Sequence, residues 1–368
     1  MKILILGSKE YPFGAATPAE DPNPSGGIEI YVENLVKNLD KTLNLIIITR
    51  KFRNTKTYER KNNIEVYRLP FIKGFYLRNP SFNFLSFLRS LSLDFDVIIS
   101  HDDIASFLGL LLSKIKRKPI IMVCHGLPSE QPQYNPFIRF LFKFIEKITY
   151  THSSANITHS PQQLKKITKK YEVVFPGFDK NRIRLIYKKE RDKLKNEYKI
   201  GNRKVIVYVG RLIKVKGIEY LLEALSYIKY PYICFIVGYG PQALEYKELA
   251  KKRHLNTIFT GFRKDVDKFL SIADVFVLPS LSESLNYSLL EAVSLEVPVV
   301  VTDLGIIPED AAIVVEKKDS KAIGEAINKL FKDKSLAKSL SLKSKKFIDK
   351  FNWNKAAEKY LDVIRKVL

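Results

Sequence analysis

Two carboxylates eight positions apart, Glu283 and Glu291, stand in the segment SESLNYSLLEA, and two cations five positions apart, Arg211 and Lys216, stand in GRLIKVKG. A carboxylate is a natural acceptor for the paired hydroxyls of a ribose or hexose. Arg offers a planar fork to phosphate oxygens, Lys a point charge, and a helix N-terminus adds its dipole to both. These residue types suit a sugar joined to a diphosphate. Each pair also has a plainer reading, since acids near a helix start are stabilised by its dipole and cations in a basic chain are commonly solvated. The elements that carry them decide between the two.

In the first half the short apolar runs KILILG, LNLIIIT, FDVIIS, KPIIMVCHG and SANITHS are separated by helical or loop stretches. In the second half KVIVYVGRL, YICFIVGYG, NTIFTGF, ADVFVLPS, VPVVVTD and AAIVVE alternate with helical patterns such as GIEYLLEALSYI. Such alternation predicts parallel sheets covered on both faces. A chain of 368 residues also exceeds what one core usually organises. The expected fold class is α/β, with two Rossmann-like, doubly wound domains facing an interdomain cleft. Their expected extents are 1–180 and 181–352, joined where FPGFDKNRIRLIYKKERDKLKNEYKIGNRK loses strand signals and becomes densely charged.

Ligands of open α/β sheets bind beyond the carboxyl ends of the strands. GRLIKVKG occupies such a place after VIVYVG, with Gly210 and Gly217 allowing close backbone approach. ADVFVLPS is a strand ending at Pro279 and Ser280, which puts Glu283 on the following loop and Glu291 in the first turn or so of the helix YSLLEAVSL. VGYGP carries Gly238 and Gly240 from a strand into a helix; the third glycine of a dinucleotide fingerprint is missing, so it is read as a turn near a nucleotide. In the first half, NPSGGIEIYVENLVKNL opens an amphipathic helix at Gly26 and Gly27, and KPIIMVCHG ends its strand at His125.

Lys and Arg number 62 against 39 Asp and Glu, a formal charge of +23, divided as +10 over 1–180 and +13 over 181–368. A surplus this evenly spread favours anionic partners without choosing among nucleotides, acidic lipids and nucleic acid. The two cysteines, Cys124 and Cys234, lie in apolar strand-like runs and are expected to be buried free thiols in a reducing compartment. No secretory signal is visible, and no apolar run approaches the roughly 20 residues of a membrane span. A cytoplasmic protein is expected, able to sit peripherally on the cytoplasmic face of a membrane. Residues 50–89 carry ten Lys and Arg against two acids, interleaved with aromatics. That stretch is expected to approach an anionic membrane or a lipid-linked acceptor, against the alternative of a basic, partly buried variable region. FIRFLFKFIEKITY is the weaker membrane candidate, because Arg139, Lys143, Glu146 and Lys147 share one helical face, as on any helix packed over a sheet.

This ordered set resembles the retaining, GT-B-fold nucleotide-sugar glycosyltransferases of family 4 over nearly the whole chain. The carriers are the Gly26-Gly27 loop, the His125-Gly126 pair, GRLIKVKG, VGYGP, FTGF, ADVFVLPS and the E-x7-E of Glu283 and Glu291, with FNWNKAAEKYLDVI similar to a final helix (353–368) that crosses back onto the N-terminal domain. The resemblance implies an acceptor-side N-terminal domain and a donor-binding C-terminal domain. It implies transfer of a hexose from a UDP- or GDP-type nucleotide sugar to a glycan or lipid-linked acceptor, with retention. Arg211 and Lys216 would bind the diphosphate, Glu291 the ribose and Glu283 the transferred sugar. The backbone of Ser284, Leu285, Asn286, Tyr287 and Ser288 would contact sugar and phosphate, and Gly210 and Gly240 would line the donor site. Gly27 would approach the phosphates or sugar, His125 would help position the sugar, and Phe262 and Arg263 would lie near the base. The family usually has glycine where this chain has Ser284, Asn286 and Glu296. Asn tolerates positive φ better than most residues, so Asn286 is expected to preserve the loop's turn.

No metal or other cofactor is expected: of the Asp-x-Asp sequences, Asp94–Asp96 precedes its strand and Asp265–Asp267 begins a helical run. Three other readings stay open. A sugar-nucleotide epimerase or a phosphorylase would use the same fold. A basic nucleic-acid-binding protein would explain the charge but not an ordered set of strand-end motifs, so no nucleic-acid partner is expected. A glycosidase would use two carboxylates and give Arg211 and Lys216 no task.

Overall fold

The computed structural model describes residues 1–12, 27–74, 77–131, 134–179, 183, 186–283 and 285–368. Two compact units appear, one made largely of residues 1–177 together with Phe351–Leu368, the other of Phe178–Lys350.

In the first unit β1 (Lys2–Leu6) is followed by α1 (Gly27–Asn38), β2 (Asn44–Arg50), β3 (Tyr58–Lys61), β4 (Ile64–Leu69), α2 (Arg78–Leu91), β5 (Val97–Ser100) and α3 (Asp103–Lys116). After them come β6 (Ile120–Cys124), α4 (Pro136–His152), β7 (Ala155–Thr158), α5 (Pro161–Lys165) and β8 (Glu172–Val173). The sheet runs β3-β4-β2-β1-β5-β6-β7-β8, parallel except for β3, which pairs antiparallel with β4 at the edge. Successive strand residues point to opposite faces. Ile3, Ile5, Ile121 and Val123 therefore pack under α1 and the last helix of the chain, while Leu4, Leu6, Ile120 and Met122 pack under α2, α3 and α4. Local signals start the helices: Asp102 caps α3 by accepting from Ile104 N at 3.1 Å, and Asn135 caps α4 by accepting from Ile138 N at 2.9 Å.

The second unit runs α6 (Lys188–Glu197), β9 (Lys204–Val209), α7 (Ile218–Ala224), β10 (Tyr232–Val237), α8 (Ala243–Lys252), β11 (Thr257–Gly261), α9 (Val266–Ser271) and β12 (Val275–Leu278). It continues through α10 (Tyr287–Ser294), β13 (Val299–Thr302), β14 (Ile313–Val315), α11 (Ser320–Lys332) and α12 (Lys334–Phe347). Its sheet is wholly parallel with the order β11-β10-β9-β12-β13-β14. That is the doubly wound order, which reverses direction between β9 and β12 and leaves a crevice there. The final helix, α13 (Trp353–Val367), belongs to the first unit, where Tyr360 is fully buried and its hydroxyl meets that of Tyr31 at 2.7 Å.

Two surface expectations change. Within 50–89, Arg50 is buried with its guanidinium 4.9 Å from the Phe71 ring, and Arg68 is buried against Glu59 at 3.0 Å, so part of the cationic surplus is internal. In α4 the charged residues do not form one solvated face. Glu146 is buried, accepting from Ser129 N at 2.9 Å, while Phe137, Phe140 and Phe144 are exposed.

Candidate functional site

In the second unit the crevice between β9 and β12 gathers the expected charges. After β9 the chain turns through Arg211 into a single 3-10 turn, Lys214–Lys216, and enters α7 at Gly217. Gly217 has φ +63, and a Cβ there would lie 2.1 Å from the Pro279 carbonyl oxygen at the end of β12. Only glycine lets the two loops close to this distance. Lys216 Nζ then reaches Glu283 Oε1 in an ion pair whose side chains are 14% and 8% exposed. The same carboxylate oxygen accepts from Asn286 Nδ2 at 2.9 Å and from Ser280 Oγ at 3.1 Å. Glu283 is thus held by three donors from both sides of the crevice, an arrangement that fixes a nearly buried charge.

Arg211 is exposed and forms no salt bridge among the described residues. Its carbonyl accepts from Tyr208 OH at 3.0 Å. Burial first, and the Glu283 charge second, hold that phenol well above its usual range, so it stays a donor. Glu291 is half-buried on α10, one turn in from the Asn286 cap. Asn286 has φ −122 and accepts from Leu289 N at 2.9 Å, so it does not preserve a positive-φ turn; it works as an N-cap and as a clamp on Glu283. The left-handed residue lies instead at Glu296, with φ +58, one of the positions where the family carries glycine. Leu285, Tyr287 and Ser288 are half-buried around that cap, and Ser284 lies outside the described residues.

The glycines expected to face a ligand meet protein. A Cβ on Gly210 would lie 2.7 Å from Tyr208 OH, and one on Gly240 would lie 2.2 Å from the Leu212 carbonyl oxygen. The Gly210 contact is to the end of its own strand, while the Gly240 contact laces the loops after β9 and β10 together, as does Leu212 N donating to Tyr239 O at 2.8 Å. Arg263 is held within its own loop by a two-pronged contact to Asp265, 2.8 Å on each arm. Phe262 is exposed beyond β11 and meets the Tyr239 ring edge-on at 6.0 Å, an aromatic partner not anticipated from the sequence.

The first unit has a strand-end constellation of another kind. His101, His125 and His159 directly follow β5, β6 and β7, three neighbouring strands. Tyr31 of α1 packs against all three rings, with centroids 4.9–5.8 Å away. Burial, and then repulsion from His159, push His101 down to about 3; burial pushes His159 down to about 4 and His125 well below the usual imidazole value. All three are neutral near pH 7. His101 Nδ1 lies 3.0 Å from His125 Nε2, while His101 Nε2 is buried without a partner among the described residues. A buried N–H without an acceptor costs more than a bare lone pair, so the network assigns the His101 proton to Nδ1, donating to His125 Nε2. His125 then carries its own proton on Nδ1. Only His125 of the three was singled out from the sequence, although His101 and His159 show the same signal, a histidine directly after a β-branched run. Gly27 opens α1, and Gly26 lies outside the described residues. In the Asp-x-Asp sequences, Asp94 pairs with Lys2 at 3.0 Å before β5 begins, and Asp265 holds Arg263 and Lys268.

The family model described as Glycosyltransferase Family 4 matches residues 25–188, and that described as Glycosyl transferases group 1 matches 190–347. The chain belongs to the family 4 glycosyltransferases. An uncharacterized glycosyltransferase of Methanocaldococcus jannaschii is 26% identical to it, over 93% of this chain and 95% of its own. Among solved structures, the sucrose-phosphate synthase of Thermosynechococcus elongatus superposes with a TM-score of 0.80 at 20% identity, covering 100% of this glycosyltransferase and 98% of the other chain. An Anabaena protein solved in complex with UDP-glucose gives 0.74 at 17% identity, covering 99% of each. This glycosyltransferase therefore has the GT-B fold.

Proposed function

We propose that this glycosyltransferase moves a hexose from a nucleotide sugar to a glycan or lipid-linked acceptor, retaining the anomeric configuration and using no metal. The observation that carries the reading is the Lys216–Glu283 pair, set by Ser280 and Asn286 at the point where the second sheet reverses its strand order. Breaking a glycosyl phosphate bond builds positive charge on the sugar and negative charge on the departing diphosphate. Exposed Arg211 meets that diphosphate first. Lys216 has three N–H donors and gives one to Glu283, so it can still offer another to a phosphate oxygen. Fixed cations of this kind typically contribute about 10²–10³ in rate each. Glu283, with its nearly buried oxygen anchored by three donors, orients the transferred sugar, and Glu291 takes the ribose hydroxyls. Phe262 and Tyr239 give the base an aromatic seat. For the first unit, we read Gly27 at the start of α1 and neutral His125 at the end of β6 as sugar-contacting residues.

The Anabaena protein's complex with UDP-glucose supports a UDP-hexose as the first donor to try. No described helix is long and apolar enough to cross a membrane, and we read the enzyme as cytoplasmic. Labelled UDP- and GDP-hexoses, incubated with and without candidate acceptors, test the assignment. Label moving to an acceptor is expected; an interconverted sugar nucleotide would make the chain an epimerase, and a free sugar phosphate a phosphorylase.

A further inference from the structure

We propose that the outward face of α2, α3 and α4 docks the enzyme on an anionic phospholipid surface. The three helices lie side by side over one face of the first sheet. Asn83 of α2 donates to Asp102 at the start of α3 at 3.3 Å, and Tyr150 of α4 donates to Asp103 at 3.4 Å. Their buried residues point at the sheet, so the opposite sides must point to solvent. Those sides are not polar. Phe84 and Leu88 are exposed one turn apart on α2, and Phe107, Leu111 and Ile115 repeat every four residues along α3. On α4, Phe137, Phe140 and Phe144 are 69%, 68% and 60% exposed. Scattered exposed apolar residues need no explanation, but a contiguous set on three adjacent helices marks an interaction surface.

Charge selects the occupant. Exposed cations border the apolar stripes: Arg89 on α2, Lys114 and the following Arg117 on α3, and Arg139, Lys143 and Lys147 on α4. The three helices contain only two acids, and neither faces outward: Glu146 is buried against Ser129, and Asp103 accepts from Tyr150. A second copy of the chain paired through this face would set like charges against each other across the two-fold axis. A nucleic acid would meet the cations but has no place to bury Leu111 or Ile115. An anionic bilayer satisfies both, taking the rings and aliphatic groups into its interface and the cations at its headgroups. This surface overlaps the 50–89 stretch only through α2, and it stands whether or not the acceptor is a lipid.

Flotation of the full chain with phosphatidylcholine vesicles, with and without phosphatidylglycerol, tests the proposal. Phe137→Ser/Phe140→Ser/Phe144→Ser should lower vesicle binding at least roughly tenfold. Arg139→Gln/Lys143→Gln/Lys147→Gln should remove the preference for phosphatidylglycerol, each basic residue contributing roughly fivefold. Both variants should melt as the parent does, because every changed residue is exposed. Failure of the parent to float with phosphatidylglycerol vesicles would overturn the assignment, as would flotation that both variants retain. A concentration-dependent dimer abolished by the phenylalanine variant, in a protein that does not float, would give the face to a second copy instead.

Discussion

The carboxyl ends of the two sheets solve different problems with different chemistry. At β9 and β12 the chain places formal charges, Lys216 and Glu283 nearly buried and Arg211 in the open. At β5, β6 and β7 it places three imidazoles that burial keeps neutral around the Tyr31 ring. A diphosphate demands cations, whereas a sugar hydroxyl is best met by a neutral donor of fixed direction. On the function proposed above, the second unit supplies charge neutralisation and, through Glu283, an acceptor for the sugar, whereas the first supplies neutral donors, and each half of that proposal can be broken separately.

Lys216→Ala should have the largest effect. It leaves Glu283 as an uncompensated, nearly buried charge, costing about 3–5 kcal/mol in denaturant unfolding, and removes a diphosphate contact worth about 10²–10³ in kcat/KM. Lys216→Met combined with Glu283→Leu should recover most of that stability and none of the activity. Recovery of both would reduce the pair to scaffolding.

The imidazole cluster makes a prediction about acid. An imidazole with a folded pKa below its unfolded value lets the unfolded chain bind the extra proton, so stability falls as pH drops from 6.5 towards about 4, where His159 titrates in the folded protein. Asp103 and Glu146, which burial shifts upward, act in the opposite sense over part of this range. His159→Asn isolates the imidazole, because the amide can still donate to the Val174 carbonyl, now 2.7 Å from Nδ1, without titrating. Its stability curve should be flatter than the parent's across that window by roughly 3 kcal/mol. Parallel curves would show that His159 is not held neutral.

A smaller effect is expected at His101. His101→Asn keeps a donor for His125 Nε2, while His101→Leu removes it; roughly a tenfold loss in kcat/KM is expected for Leu, largely restored by Asn. Equal losses would make the contact mere packing. Smallest of all is Glu296→Gly, which relieves a left-handed φ of +58 and loses an exposed pair with Lys345. A net gain of about 1 kcal/mol in thermal or denaturant unfolding is expected, with activity unchanged.

Both constellations stand directly after apolar runs, but the charged one is the more legible because paired cations and paired carboxylates name a chemistry, whereas a single histidine at a strand end is more often a packed residue. What spacing could not show is that Lys216 and Glu283, 67 positions apart, meet each other, or that Gly210 faces the Tyr208 hydroxyl and Gly240 the loop after β9. Those contacts depend on the strand order, which brings β9 beside β12. The alternating core of both sheets was equally readable. The β3–β4 hairpin was not, because YERK and IEVYRL mix charges into an edge and their turn rests on Asn62 at φ +54. At Asn286 a family glycine suggests a turn, whereas the local sequence supplies a cap. The exposed side of α4 escaped notice because a helical repeat identifies a stripe without telling whether protein covers it.

The central claim, a nucleotide-sugar site at the β9–β12 crevice, is tested most directly by thermal shift. A bound ligand at 100 times its Kd stabilises the folded state by about 2.7 kcal/mol. In a panel of UDP- and GDP-hexoses, at least one should raise the melting temperature, and Arg211→Ala, changed at an exposed side chain, should melt as the parent does without ligand and show no shift with it. A panel that moves nothing, or an Arg211→Ala protein that shifts as far as the parent, would contradict the account.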